Sequence, residues 1–460
     1  MNPSNIVQGL LAWFAQNARD LPWRRTRDPY AIWVSEIMLQ QTQVKTVLPY
    51  WERWMRTLPN LGALAKARPE RLHKLWEGLG YYTRVRNLQR AAQVIVERHG
   101  GQIPEDFNDL LALPGIGRYT AGAICSIAFN QPKPILDGNV IRVLARMYGI
   151  AGDPRRPKTN ARLWQIAEEL VRQAAELEAG PEFSRQPTQA GRRKSSGEGP
   201  AWTIHTPMET PTLRRVRARG LQTRTPAVGR VPSRGVQGCE KSGPGTCSCL
   251  NQSLMELGAL VCTPREPRCG VCPIAKLCVA YREDRILELP HIGRRIRATP
   301  RRFVAFVADK RGRLLVRQRP AGVVNAHLWE FPNLELSPAD SDLERAAHCV
   351  LKFRPRRLEP LCTVKHSITR YRITLEAYRV VSDPGARISA GKGRWVDRKR
   401  LGLLAFTSAH GQILRRLELL DVLGGSGKSE NRNPKPEGRP KSEVRRRRAD
   451  ILVRSDGRTH

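Results

Sequence analysis

Leu113-Pro114-Gly115-Ile116-Gly117-Arg118-Tyr119-Thr120-Ala121 joins two helix-period stretches, FNDLLAL (107–113) and YTAGAICSIAF (119–129). Two glycines one residue apart let the backbone turn tightly, and the amides that follow open the second helix. A helix start exposed in this way attracts an anion, most simply a DNA phosphate. The same loop would also serve as a plain corner between two helices. Downstream, Asp137 in Ile135-Leu136-Asp137-Gly138-Asn139-Val140 precedes another helical pattern, NVIRVLARMYG. Asp is a good N-cap there, and a carboxylate that accepts helix N–H bonds stays ionised.

Outward from this loop, residues 5–172 are a succession of short helical patterns divided by Pro, Gly and Asp, which predicts an all-α domain. Its first part spans 1–178. Over 179–248 the apolar period gives way to Gly, Pro, Ser, Thr and Arg, and this stretch is expected to be a disordered insertion. Helix resumes at NQSLMELGALVC, and 249–283 completes the helical domain. A basic linker is expected over 284–300. The strand-period runs FVAFVAD, RLLVRQR, RYRITLEAYRVV and GRWVD surround one helix near LERAAHCVLKF, so 301–422 reads as an α+β domain. Residues 423–460 form a basic, disordered tail.

The chain has 460 residues and a net charge of +37, with 79 Lys and Arg against 42 Asp and Glu. Segments 179–248 and 424–460 carry +8 and +6, leaving +23 on the rest. The folded parts are therefore basic in their own right, and nucleic acid is the first candidate partner. No uncharged apolar run approaches the roughly 18 residues of a membrane span. The N-terminal MNPSNIVQGLLAWFAQNARD reads as an amphipathic helix without a signal peptide's basic start. An intracellular, soluble chain without a membrane partner is expected.

Cys262-x6-Cys269-x2-Cys272-x5-Cys278 is the most specific feature. Four thiolates suit a [4Fe–4S] cluster or zinc, although structural zinc sites more often pair short C-x2–4-C knuckles. With the hairpin loop and Asp137, this spacing resembles the iron–sulfur branch of the helix-hairpin-helix DNA glycosylases, which includes endonuclease III and the MutY-type adenine DNA glycosylases. The resemblance implies a multidomain protein: an all-α helix-hairpin-helix glycosylase core with a [4Fe–4S] loop at Cys262, Cys269, Cys272 and Cys278, plus a C-terminal α+β Nudix-like domain.

Two positions divide that branch. Endonuclease III-type lyases resemble this loop but carry a lysine where this chain has Tyr119, so the nucleophile for a Schiff base is missing. On a helical wheel of about 100° per residue, Glu36 lies at the edge of an apolar stripe of Trp33, Ile37, Val44, Val47 and Leu48. A lone Glu there is ordinarily a surface residue. The surrounding Glu36-Ile37-Met38-Leu39-Gln40-Gln41-Thr42-Gln43-Val44 is nevertheless similar to the MutY-type enzymes, which implies that Glu36 is the general acid and Asp137 the stabiliser of a cationic sugar. Tyr119 and Asn139 would hold that arrangement. The same resemblance puts Gln41 and Tyr81 into the duplex as wedges and Leu39, Trp23 and Arg24 around the adenine. Gly115, Gly117 and Arg118, with Arg265 and Arg268 on the cysteine loop, would meet phosphates.

The C-terminal domain is similar to the MutT-like lesion-reading domain of that family. A working Nudix hydrolase needs clustered acids, and after Leu328-Trp329-Glu330-Phe331-Pro332 only the scattered Glu335 and Glu344 follow. Pyrophosphohydrolase activity is not expected. The stretch His366-Ser367-Ile368-Thr369-Arg370-Tyr371 occupies the place of the family's Phe-Ser-His loop. Thr369 keeps a hydroxyl, while Ile368 and Arg370 depart from the pattern, and the residues would equally begin a strand. The expected function is removal of adenine mispaired with 8-oxoguanine or guanine from double-stranded DNA by a monomer. It would work in the bacterial cytoplasm at the nucleoid, or in a eukaryotic nucleus. The alternatives are an endonuclease III-like or thymine-mismatch glycosylase, and a non-catalytic DNA-binding protein.

Overall fold

The computed structural model describes residues 2–179, 245–293, 297–337, 340, 342–368, 370–382 and 393–425, with side chains to residue 420. The disorder expected of 179–248 and 423–460 falls almost wholly outside the described residues, as does Thr369.

The helical domain comprises α1 (Pro3–Asn17), α2 (Pro29–Leu39), α3 (Val44–Thr57), α4 (Leu61–Lys66), α5 (Pro69–Leu75), α6 (Thr83–Arg98), α7 (Phe107–Leu111), α8 (Arg118–Ala123), α9 (Gly138–Met147) and α10 (Pro157–Ala179), then α11 (Thr246–Leu260) and α12 (Val279–Arg282). Local chemistry starts several of them. Asp28 Oδ1 accepts from the Tyr30 amide with Pro29 in the first turn of α2, and Asp106 caps α7.

Two apolar cores divide this domain into lobes. The first gathers Trp33, Val47, Trp54, Trp76, Val85 and Leu110. The second joins Ile6 and Leu10 of α1 to Val140, Leu144, Leu170 and Leu257. The chain thus begins in the second lobe, crosses over to build the first, and returns. Helix α8 lies on the seam, with Ala121 in the first core and Tyr119 against the second.

Two boundaries differ from the sequence reading. Thr246, Cys247 and Ser248, expected in the insertion, form the first turn of α11, with Cys247 and Ser248 buried. Their small polar groups mimic a loop composition but find partners inside: Ser248 Oγ donates to Ile127 O and Cys247 Sγ to Val171 O. The expected linker 284–300 is likewise partly tethered. Leu289 is buried, its carbonyl accepts from Arg146 Nε at 2.8 Å, and strand β1 already starts at Thr299.

The C-terminal domain contains β1 (Thr299–Lys310), β2 (Arg313–Gln318), β3 (Trp329–Glu330), β4 (Asn333–Leu336), α13 (Leu343–Leu351), β5 (Arg357–Ile368), β6 (Tyr371–Val381), β7 (Gly393–Asp397), α14 (Arg398–Leu401) and α15 (Ser408–Gly425). Its mixed sheet runs β3-β2-β1-β6-β5; β4 also pairs with β1, and β7 with β2. Strand β1 is parallel to β6 and covered on both faces. Val304, Phe306 and Ala308 pack with α13, whereas Ala305 and Val307 pack in the core that holds Ile413 and Leu417 of α15. Ile368 pairs with Tyr371, so the stretch read as a lesion loop is the end of the β5–β6 hairpin. Glu335 pairs with Arg301, and Glu344 lies exposed in the first turn of α13.

The domains touch along α5 and α6. Glu77 Oε1 accepts from the Phe406 amide at 2.9 Å, Lys74 Nζ donates to Leu404 O at 3.2 Å, and Leu328 and Ala405 complete the first-lobe core.

Candidate active site

Glu36 comes from the middle of α2, where every residue from Tyr30 to Met38 is buried. It lies inside the domain, at 5 % exposure, and not at the edge that the helical wheel implied. Tyr119 enters from α8, and its hydroxyl donates to Glu36 Oε2 at 2.5 Å. Burial pushes the Glu36 carboxyl up to about 7; the Tyr119 bond and the Arg24 charge pull against this, while the Asp137 charge adds to it.

Asp137 is the N-cap of α9. Its Oδ1 accepts from the Val140 amide at 2.7 Å and its Oδ2 from Asn139 Nδ2 at 2.9 Å. These bonds favour the ionised form. Burial outweighs them and holds the carboxyl above its ordinary value. The site thus pairs a carboxyl poised near neutrality with one clamped by donors. Close approach of α11 completes it: a Cβ on Gly258 would lie 2.6 Å from Asn139 Cβ and 2.9 Å from Asn139 O.

Three ionic residues here carry no signal that the sequence reading used. Glu256 of α11 is buried and holds both Arg19 (2.7 Å) and Arg24 (3.0 Å), which bring its carboxyl down to about 2. Arg142 links Asn139 Oδ1 (2.8 Å), Gly258 O (2.7 Å) and Cys262 O (2.7 Å). Arg146 donates to Thr263 O at 2.7 Å and reaches Cys262 Sγ at 3.4 Å. The available signal was two arginines four residues apart on α9, which is apolar after Asn139 but for them.

Of the residues expected around the base, Arg24 lies close enough to Glu36 to affect its charge, while Trp23 packs edge-to-face on Trp51 at 5.9 Å and Leu39 lies against the first core. Gln41 and Tyr81 are both exposed. With Trp33, Arg84, Asn87 and Gly115 they line one cleft of about 240 Å³. Gly115, at φ +78°, passes so near Asn87 that a Cβ would lie 2.6 Å from it. Gly117 leaves the first amides of α8 without a side-chain cap, and the Arg118 guanidinium stacks 4.0 Å over Trp164.

The four cysteines line one cavity walled by Val143, Met147, Leu257 and Ile274. No three His, Cys, Asp or Glu side chains among the described residues converge as a site for a single metal ion. Four free thiols spread around a shared apolar cavity suit a polynuclear group with a thiolate at each corner. Arg265 and Arg268 are exposed on the same loop, and Arg268 donates to Leu260 O.

Residues 34–169 match the family model of the HhH-GPD superfamily base excision DNA repair protein, and residues 303–416 match that of the NUDIX domain. Fold and site therefore define a base-excision DNA repair enzyme of the helix-hairpin-helix class with a C-terminal NUDIX domain. Adenine DNA glycosylase of Mus musculus is 31% identical over 467 residues, 89% of this chain and 77% of that protein. The Homo sapiens adenine DNA glycosylase is 32% identical over 468 residues, 88% of this chain and 72% of that protein. A solved thermostable thymine-DNA glycosylase aligns over 61% of this chain and 97% of its own at 24% identity and a TM-score of 0.42. The chain belongs to the adenine DNA glycosylase family. No helix among the described residues is long and apolar enough to cross a membrane.

Proposed function

We propose that the protein hydrolyses the N-glycosidic bond of adenine mispaired with 8-oxoguanine or guanine in double-stranded DNA, as a monomer. The observation that carries this reading is Glu36: a buried carboxyl near pKa 7, held by Tyr119 and facing the charge of a donor-clamped Asp137. Unstacking the adenine costs a few kcal/mol, less at a mispair. Glu36 then gives its proton to N7 of the base, which leaves as neutral adenine when the bond to C1′ breaks. The carboxylate of Asp137 faces the resulting sugar cation until water, deprotonated by Glu36, adds to C1′. Tyr119 and Asn139 orient the two acids.

Trp23, Arg24 and Leu39 surround the base, Gln41 and Tyr81 fill the space it leaves, and the Thr369 hydroxyl contacts the opposite 8-oxoguanine. Gly115, Gly117 and Arg118 bind backbone phosphate, as do Arg265 and Arg268. Cys262, Cys269, Cys272 and Cys278 hold a [4Fe–4S] cluster, which supplies a rigid cross-link for the basic loop and takes no part in bond cleavage. The work belongs in the compartment that holds the genome, the bacterial cytoplasm or the eukaryotic nucleus.

Single-turnover excision from an 8-oxoguanine:adenine duplex tests the reading. Adenine should be released by the unmodified protein and not by Glu36→Gln. No release by the unmodified protein would sink the assignment. Because Tyr119 carries no amine, borohydride should capture little covalent complex with abasic DNA, and efficient capture would point to a lyase.

A further inference from the structure

Arg84, in the first turn of α6, occupies a place that the catalytic reading does not use. Its Nη1 lies within hydrogen-bond distance of three carbonyls at the end of α2: Ile37 (2.8 Å), Met38 (3.0 Å) and Gln40 (2.6 Å). Its Nη2 reaches two carbonyls in the loop before α6, Leu79 (3.0 Å) and Gly80 (3.2 Å). The guanidinium also lies 5.3 Å from the Trp76 ring centroid and 5.8 Å from that of Tyr81. One planar group thus joins two segments far apart in sequence.

Two of the carbonyls matter most. Gln40 immediately precedes Gln41, and Gly80 immediately precedes Tyr81, so Arg84 fixes the peptide unit entering each wedge residue. Gln41 and Tyr81 are both left-handed, at φ +56° and +45°. That conformation is costly for a residue with a side chain and persists where the surroundings over-determine it. Both side chains line the same cleft. A lysine would keep the charge but lacks the fork that serves two segments at once. Ion pairing does not explain this residue: among the described residues no acid pairs with it, and burial lowers its pKa to about 10.

We propose that Arg84 is the positioning residue of the DNA wedge, holding Gln41 and Tyr81 in register so that both enter the duplex together. This role rests on the reading of Gln41 and Tyr81 as the wedge. It makes the spacing between them a property of Arg84, and so couples base extrusion to one guanidinium.

The test uses the full chain and a duplex with 2-aminopurine at the target position opposite 8-oxoguanine, whose fluorescence rises on unstacking, alongside excision from the matching adenine duplex. Arg84→Lys should lower the bound-state fluorescence and slow single-turnover excision about tenfold, with affinity for undamaged duplex within about twofold. In a Gln41→Ala/Tyr81→Ala background the same substitution should change neither readout further. Equal slowing in both backgrounds, or unaltered unstacking by Arg84→Lys, would overturn the role. If Gln41→Ala/Tyr81→Ala itself leaves the fluorescence unchanged, the wedge reading fails and the role of Arg84 falls with it. If Arg84→Lys does not fold, Thr42→Val replaces it. That change removes the Oγ1 lying 3.5 and 3.4 Å from the two Nη atoms, and a smaller loss of unstacking is expected. No loss would again overturn the proposal.

Discussion

The Tyr119 hydroxyl lies 2.5 Å from Glu36 Oε2, so the helix opened by the Gly115–Gly117 turn also holds the buried carboxyl. One short segment therefore ties the glycine turn to the acid. The bond favours the ionised form of Glu36 and opposes the larger effect of burial. Tyr119→Phe should accordingly raise the Glu36 pKa further above about 7. A general acid works while protonated, so the alkaline limb of the excision rate should move to higher pH, with a lower maximum because the carboxyl has lost its anchor. Single-turnover rates between pH 5 and 9, a range of about two units either side of that value, would show it; an unmoved limb would mean that the tyrosine does not act through Glu36.

Glu36→Gln separates stability from activity. The folded-state pKa of about 7 lies above the ordinary 4.5, so the unfolded chain gives up this proton first. Stability from the neutral carboxyl is full below pH 4.5, and it is lost as pH rises through about 7. Glutamine stays neutral and keeps an acceptor for Tyr119. The variant should melt like the parent in acid and be more stable above pH 7, by up to about 3 kcal/mol, while releasing no adenine. Paired melting curves at acid and alkaline pH decide the matter, and identical pH dependence in both proteins would contradict the burial argument.

Asp137 has two jobs that substitution can part. Asparagine caps helices about as well as aspartate, whereas alanine does not. Asp137→Asn should hold the melting temperature, and Asp137→Ala should lose about 1 kcal/mol of stability. Both should stop adenine excision. Excision retained by Asp137→Asn would show that the residue serves as a cap alone.

The segment between α10 and α11 is bracketed by ends that already meet. The Thr246 amide and hydroxyl both reach Glu178 Oε2, at 3.3 and 2.8 Å, and the hydroxyl also lies 2.8 Å from Ala174 O. A short Gly/Ser bridge in place of 180–244 should raise the melting temperature modestly, since closing a shorter loop costs less entropy, and should keep excision within about twofold. A fall in adenine release with stability and duplex affinity undiminished would give the segment a catalytic part.

Much of the fold is local and could be read from the chain. Caps such as Asp28, Asp106 and Asp137 mark helix starts through side-chain bonds to their own neighbours. The short apolar run Phe303–Ala308 of β1 marks a strand, and its unbroken burial over Val304–Ala308 fits a strand covered on both faces. Boundaries failed where small polar residues were buried, as at Cys247 and Ser248, since composition does not say which hydroxyls and thiols find partners inside.

The sequence alone pointed to the class of partner and to the family, and it named the candidate reacting groups. Net charge named a polyanion, the spacing of four cysteines and one glycine loop named a family, and Tyr119 in place of lysine argued against a lyase. Tertiary structure decided what those groups are chemically. A helical wheel put Glu36 at an edge, because periodicity reports which face of one helix is apolar and not what packs upon it. Only when α8 delivers Tyr119, α9 delivers Asp137 and the Arg24 side chain approaches does burial set its proton near neutrality. Glu256 and Arg84 were invisible for the same reason: their partners lie at Arg19 and Arg24, or at Ile37 to Gln40, distances along the chain that no local pattern spans.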